Sequence, residues 1–368
     1  ISRKGEQMKI TAVLCAVLVV AMATAGVLPV FASGSDEGPK YINLYSNGSD
    51  NVRVQWEAII AGFAKTNPGF EVRQQYTASG AGTRPDVLKL IAAWNAKQKD
   101  IDIDIMGDLD ENPLAQISKE ASLDALAVLD VKKIPNMANI MQKSVLAPDK
   151  AMAYRGTAVY IAYNSDKVAT PPKTEKELHA WIKANPGKFA YNDPSTGGAG
   201  AALVYTTIYN LMPKEALTSS DEKWLAQMDA GFKVLADLHP SLYQASGKVQ
   251  YTVKNQGSLD LLAAGTIWMC PAWADMTLTQ KASGLLPKSI KLQQIDPALT
   301  GAATMVVVPS QSKKSAMAFK FINYVASVEA QDILVNVMKA IPMIDPNKLS
   351  KATIDQLSGL EVKYRVAM

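Results

Sequence analysis

The sequence predicts an α/β chain folded as two lobes with a cleft between them. Three observations predict it. Strand-like and helix-like segments alternate along most of the chain, the sign of parallel α/β layers. The length exceeds what one hydrophobic core supports. No long flexible linker or low-complexity tract divides the halves, so rigid lobes would be joined by short crossings that bend at a few residues.

The N-terminus sets the compartment. Ile1 to Gln7 read as an extension upstream of a start at Met8. Lys9, an apolar run from Ile10 to Phe31 and small residues ending at Ala32 form a signal-peptide pattern over residues 1–32. A membrane anchor is the alternative, because the run is just long enough to span. Cys15 lies too early in that run for a lipid-attachment cysteine. Cleavage would leave roughly 336 residues of the 368 and lower the net charge from +4 to about +2. Such a balance offers nothing to nucleic acid. Cys270 would then be the only cysteine, a small buried hydrophobe after Ile267, Trp268 and Met269.

Residues 41–45 read as a strand entering the polar loop 46–50. Val54, Ile59, Ile60 and Phe63 share a helix face that Asn67-Pro68-Gly69 ends. Residues 70–76 make the next strand, 79–82 a glycine turn, and 87–96 a helix with Val87, Leu90, Ile91 and Trp94 in register. Residues 101–106 form a third strand. Ligands in such layers sit beyond the carboxyl ends of the strands. The loops 46–50, 79–82 and 107–111 are therefore the candidate first-lobe wall.

Residues 157–163 read as a strand. Thr174 and Glu177 then make a capping box for a helix carrying Leu178, Trp181 and Ile182. Residues 189–191 form a short strand, 199–211 an apolar helix, 222–238 a long amphipathic helix and 254–264 another. Strands at 266–270 and 304–308 follow, then helices at 316–325 and 330–338. The crossings fall near 153–164 and 298–308. The expected division is 40–155 for the first lobe, 156–300 for the second, and 301–368 for the return to the first lobe with the closing helices.

The strongest local feature is Pro194-Ser195-Thr196-Gly197-Gly198-Ala199-Gly200. Ser195 or Thr196 can cap the following helix, and the glycines open its unpaired N–H groups to an oxyanion or hydroxyl. A plain cap with close packing is the alternative. Trp273 offers a flat apolar face and Asp275 a carboxylate, a pair suited to a sugar, polyol or ammonium compound. Asp108, Asp110 and Glu111 form an acidic cluster whose spacing matches no calcium loop. His179 and His239 stand in no metal or catalytic spacing, and there is no nucleophile elbow. No catalytic residue, metal ligand or cofactor is expected.

Several stretches carry a family resemblance. Arg155 and Asn164-Ser165-Asp166-Lys167-Val168, then Pro171-Pro172-Lys173-Thr174 and Trp181, resemble the family-1 extracellular solute-binding proteins of ABC transporters. Residues 189–198 resemble the YnjB-like branch. Gly284-Leu285-Leu286-Pro287, Val306-Val307-Val308-Pro309 and Ser327-Val328-Glu329-Ala330-Gln331 agree, with Val328 where the family usually has proline. The resemblance implies a type II periplasmic-binding-protein fold with a ligand cleft between two α/β lobes. It also implies a periplasmic monomer, free or tethered, that delivers a small polar solute to a permease. By the same resemblance Ser46, Asn47 and Asp108 are the first-lobe ligand contacts and Tyr160 the crossing-strand contact. Ser195, Thr196, Gly197, Trp273 and Asp275 complete the second-lobe wall. Tyr205 and Tyr209, one turn apart on an apolar helix, read as packing rather than as a metal-binding pair. A neutral sugar or polyol is the favoured solute. The rival readings are an exported cleft hydrolase or transferase, and a binding protein used as a sensor.

Overall fold

The structure is a computed structural model that describes residues 40–78, 84–219 and 221–358. The leader and the 79–82 turn lie outside the described residues. The first lobe is built from β1 (Tyr41–Gly48), α1 (Asp50–Thr66), β2 (Glu71–Ala78), α2 (Pro85–Asn95), β3 (Ile105–Leu109) and α3 (Glu111–Glu120). β1 pairs in parallel with both β2 and β3, as the alternating pattern predicts. Ile42 and Leu44 of β1 are fully buried, while intervening residues are less so, because successive side chains leave opposite faces of a strand.

β3 sits later than the sequence suggests. Residues 101–104 are not strand, and the ladder runs on through Gly107 and Asp108. Asp104 explains the early part: its carboxylate accepts the N–H of Asn43 at 2.8 Å and the hydroxyl of Ser312 at 2.6 Å. Asp108 is consequently a strand residue rather than a loop residue.

β4 (Ala151–Asn164) is the backbone of the molecule. At 14 residues it is on the order of 45 Å long. Its first half pairs with β9 and β10, and its second half with β7 and β8. Between β4 and those partners lie α4 (Glu175–Ala184), α5 (Gly198–Tyr209), α6 (Asp229–Leu238), the hairpin β5 (Gln244–Ala245) and β6 (Lys248–Val249), and α7 (Lys254–Ala263). Then come β7 (Met269–Trp273), α8 (Ala274–Ala282), β8 (Ile290–Gln293) and β9 (Gly301–Val307). The chain closes with α9 (Ser315–Val325), α10 (Val328–Met338), β10 (Ile341–Pro342) and α11 (Lys351–Ser358).

β9 lies between β3 and β4, antiparallel to each. The first-lobe sheet is therefore mixed, a feature that local pattern cannot reveal because it depends on a strand some 200 residues away. Four large apolar clusters follow the lobes. Two combine residues of the first 154 with residues after 304; two lie within 159–299. In the first, Trp56 and Phe63 of α1 pack on Phe321 of α9 with ring centroids 6.3 and 5.1 Å apart. That contact ties the closing helices to the first lobe.

Three second-lobe elements differ from the sequence reading. Residues 222–238 split into a 3₁₀ turn, Glu222–Gln227, and α6. Asp221 tightens that turn by accepting the N–H of Lys223, and Leu225 finds no core to enter, being 60% exposed. Residues 189–191 form only bridges at Phe189 and Asn192. The strand expected at 266–270 begins at Met269 and ends at Trp273, with Pro271 tolerated because β7 lies at the sheet's edge.

Candidate functional site

Asp108 organises the first-lobe wall. Its backbone has φ of +61°, a left-handed conformation that aspartate tolerates better than most residues. Its carboxylate is buried and accepts from Trp56 Nε1 at 2.9 Å, Tyr154 Oη at 2.5 Å, Arg155 Nη2 at 3.2 Å and the N–H of Asn47 at 3.3 Å. A buried carboxylate needs such partners to offset the hydration it loses. Gly107 makes room for this arrangement: a Cβ there would stand 2.9 Å from the Trp56 ring. Burial and the neighbouring Asp108 charge both push the Tyr154 phenol upward, so it remains a donor. Burial works against the Arg155 charge, but the Tyr154 oxygen, which accepts its Nε–H at 3.1 Å, and the Asp108 and Asp275 carboxylates outweigh it and hold the guanidinium ionised.

Arg155 and Thr157 share one face of β4, two residues apart, where the strand passes between the lobes. The Thr157 hydroxyl donates to Asp275 Oδ1 at 2.5 Å. Asn51, in the first turn of α1, donates to Asp275 Oδ2 at 3.3 Å. Asp275 itself stands in the first turn of α8, where the helix dipole favours its negative charge, and is only 3% exposed. One second-lobe carboxylate thus engages the first lobe and the crossing strand together.

The second-lobe wall is the start of α5. Its cap is Gly197, not Ser195 or Thr196, and no side chain caps it from that position. The Ser195 hydroxyl donates to Asp193 Oδ1 at 2.7 Å, and the Thr196 hydroxyl donates to the Asp193 carbonyl at 2.9 Å. Two asparagines from elsewhere take the helix amides. Asn255 accepts the N–H of Ala199 at 3.1 Å and Asn192 that of Gly200 at 2.8 Å. The positive helix end is therefore largely satisfied by the protein, which weakens the oxyanion reading of the glycine segment. Gly198 serves packing: a Cβ there would lie 2.8 Å from the Trp273 ring.

Three adjoining spaces open between these walls. The first, about 710 Å³, is lined by Asn47, Asn51, Asp108, Arg155, Thr157, Asn255, Trp273, Asp275 and Thr304, among others. The second, about 1130 Å³, runs past Trp273 toward Lys143, Val145 and Tyr205. The third, about 800 Å³, lies over Pro194 to Gly198 and faces Asn47, Arg84 and Asp108. Asp110 and Gly198 border all three.

Of the residues singled out from sequence, Asn47, Asp108, Trp273 and Asp275 line the first space. Ser195, Thr196 and Gly197 line the third, beside Asn47 and Asp108. Ser46 and Tyr160 line none of the three. Ser46 is buried beneath the wall and its hydroxyl accepts from Gln74 Nε2 at 2.9 Å. Tyr160 leaves the face of β4 opposite to that of Arg155 and Thr157 and packs in the second-lobe core, 4% exposed. Tyr205 is not packed as expected. It is 52% exposed and borders the second space, whereas Tyr209 joins a small apolar cluster with Ile208 and Met212.

Sequence reasoning missed Asn51, Arg155, Thr157 and Asn255 as site residues. Arg155 carried a usable signal, since an arginine within an apolar strand must find a buried acceptor. The asparagines carried none. His179 lies in a small apolar space with Ile182, Phe189 and Leu203, and His239 lies near Tyr251, both away from the cleft. Among the described residues no three histidine, cysteine or acidic side chains are placed to hold a metal.

Two α/β lobes joined by crossing strands around a polar cleft define a two-lobed solute receptor. The chain belongs to the bacterial extracellular solute-binding protein family, whose model matches residues 58–355. That family is one of exported solute binders, which places the chain in the periplasm. Over 205 residues it is 28% identical to Protein YnjB of Escherichia coli, covering 53% of this chain and 51% of that one. The match thus spans about half the length of that relative. An extracellular solute-binding protein from Bordetella parapertussis superposes with a TM-score of 0.65 at 18% identity, over 86% of this chain and 90% of the other. Apo ferric ion-binding protein A of Pasteurella haemolytica gives 0.63 at 14% identity, over 86% and 89%. The shared fold is that of type II periplasmic binding proteins.

Proposed function

We propose that this chain is the solute-capturing component of an ABC importer, a non-enzymatic monomer of the YnjB-like branch. It would close on a small polar solute and deliver it to a membrane permease. The observation that carries the reading is Asp275. It reaches from the second lobe to Asn51 of the first lobe and to Thr157 of the crossing strand, so occupation of the cleft bears directly on the lobe angle. On this reading the lobes are residues 40–155 and 156–300, with the chain returning to the first lobe from 301. The bending points lie near Val159 and Thr300, whose backbones pair at 3.2 Å.

The favoured solute is a sugar or polyol. The Trp273 ring offers an apolar face for one side of such a ring, and Asn47, Thr157, Asn255 and Thr304 supply amides and hydroxyls around it. Ferric ion is less suited, although ferric ion-binding protein A shares the fold. Tyr205 faces the cleft, but Tyr209 turns into an apolar cluster, so no phenolate pair is assembled.

The test is a thermal-shift screen of the leaderless protein against sugars, polyols, thiamine compounds, oxyanions and metal ions. A ligand that binds only the folded state raises the melting temperature, by about 2.7 kcal/mol of stabilisation at a hundredfold excess over Kd. Conversion of a trial solute, lost in Asp275→Asn, would replace the receptor reading with that of a cleft enzyme.

A further inference from the structure

The charges around the cleft do not balance. Arg155 is paired with Asp108, and Arg84 with Asp86. Asp110, Glu111 and Asp275 also line the spaces, against Lys143, with Arg155 shared between Asp108 and Asp275, so the carboxylates outnumber the cations. Most of these carboxylate oxygens are occupied. Glu111 accepts from Ser144 and from the N–H groups of Val145 and Leu146. Asp275 holds Thr157 on one oxygen and Asn51 on the other.

Asp110 differs. Its Oδ1 caps α3 by accepting the N–H of Asn112 at 2.9 Å, and its Oδ2 has no hydrogen-bond partner among the described residues. That oxygen belongs to the residue which, opposite Gly198, borders all three spaces. A second observation is independent of the acidic groups. Thr304 and Asn255, 8% and 9% exposed, line the first space. Among the described residues neither the Thr304 hydroxyl nor Asn255 Nδ2 has a partner, and neither atom is sealed from solvent. A buried polar group left open in this way awaits a hydrogen-bonding guest.

We propose that the solute carries a protonated amine beside its hydroxyls, and that Asp110 is the specificity-determining residue that receives the amine where the lobes meet. The class is an amino sugar or amino alcohol. The inference rests on the receptor reading above and sharpens its solute. An ammonium has three donors and no acceptor, which suits the open carboxylate oxygen. The Trp273 face, bordering the same spaces, supplies a cation–π surface. The solute hydroxyls meet Thr304 and Asn255. A neutral solute would leave the excess negative charge in the closed cleft without a counter-charge.

The experiment compares matched pairs by calorimetry on the leaderless protein: glucosamine with glucose and with N-acetylglucosamine, and ethanolamine with ethylene glycol. At least one amine should bind tenfold or more tightly than its neutral partner. Asp110→Asn should bring that pair within about threefold of each other. Asparagine can still cap α3, so an unchanged melting temperature will show that folding is kept. Binding by neutral members alone, or a preference that survives Asp110→Asn, overturns the amine assignment and leaves the receptor reading standing. Absence of binding by every member counts against both.

Discussion

Asn51 and Asp275 meet across the cleft, the carboxamide of one donating to the carboxylate of the other at 3.3 Å. They lie 224 residues apart in sequence and belong to different lobes. The second oxygen of Asp275 takes the Thr157 hydroxyl. Asp275→Ala leaves two donors without their acceptor and removes one of the charges that support Arg155. The expected loss is about 1–3 kcal/mol in urea denaturation. Small-angle scattering should also show a more open mean lobe angle. An unchanged scattering profile would mean that the contact does not hold the lobes.

Asp108→Asn tests the buried pair. It keeps a residue tolerant of the left-handed backbone but leaves Arg155 with a neutral neighbour and puts an amide donor among three side-chain donors. Removing one member of a buried ion pair costs about 3–5 kcal/mol. A denaturation midpoint within experimental error of the parent would show that water reaches Arg155 freely.

Gly198→Ala and Gly200→Ala should separate binding from folding. At Gly200 a Cβ would stand 2.0 Å from the backbone oxygen of Asn192, which cannot swing away. Overpacking of this kind costs about 1–3 kcal/mol, and α5 should shift at its start. At Gly198 the obstacle is the Trp273 side chain at 2.8 Å. The ring can move, so stability should change less than in Gly200→Ala, while tryptophan fluorescence changes and solute affinity falls. Equal melting temperatures for the two variants would contradict this.

His179 should give the second lobe an acid-sensitive step. Burial lowers its pKa and outweighs Glu175, whose carboxylate lies 3.7 Å from Nε2. The folded state therefore binds fewer protons than the unfolded state between the lowered pKa and the ordinary value near 6.5. By linkage, stability rises with pH across that window and is lost on acidification through it. Urea midpoints measured from pH 5 to 7.5 should show the slope, and His179→Gln should flatten it.

Cys270 is fully buried, and burial pushes its thiol well above the ordinary range. A thiol reagent such as dithiobisnitrobenzoate should find it only when the chain unfolds. Labelling in native buffer at the rate seen in urea would show that β7 opens locally.

Much of the architecture was legible because it is written in local periodicity. The β1-α1-β2-α2-β3 alternation and the closing pair α9 and α10 follow from apolar spacing that needs no distant partner. Thr174 capping α4 is equally local, its hydroxyl accepting the N–H of Glu177 at 3.1 Å. Asn47, Asp108, Trp273 and Asp275 were accessible as polar or aromatic residues at the ends of strands or just beyond them.

The cleft's chemistry was decided by tertiary structure. Whether Ser195 caps α5 or yields to Gly197 depends on Asn192 and Asn255 arriving from other segments. Tyr160 and Arg155 sit on one strand, yet only the side chain on the cleft face meets the solute space. β9 enters the first-lobe sheet from the far end of the chain and brings Thr304 beside Arg155. Sequence by itself determined most of the elements and the two-lobe organisation, since backbone propensity and apolar spacing act over a few residues, while the class of protein came from the motifs that carry the family resemblance. Which charge faces which, and which carboxylate oxygen stays open, was settled by contacts between distant segments, such as Asn51 and Asp275, 224 residues apart. Burial and pairing belong to the packed molecule and not to any stretch of it.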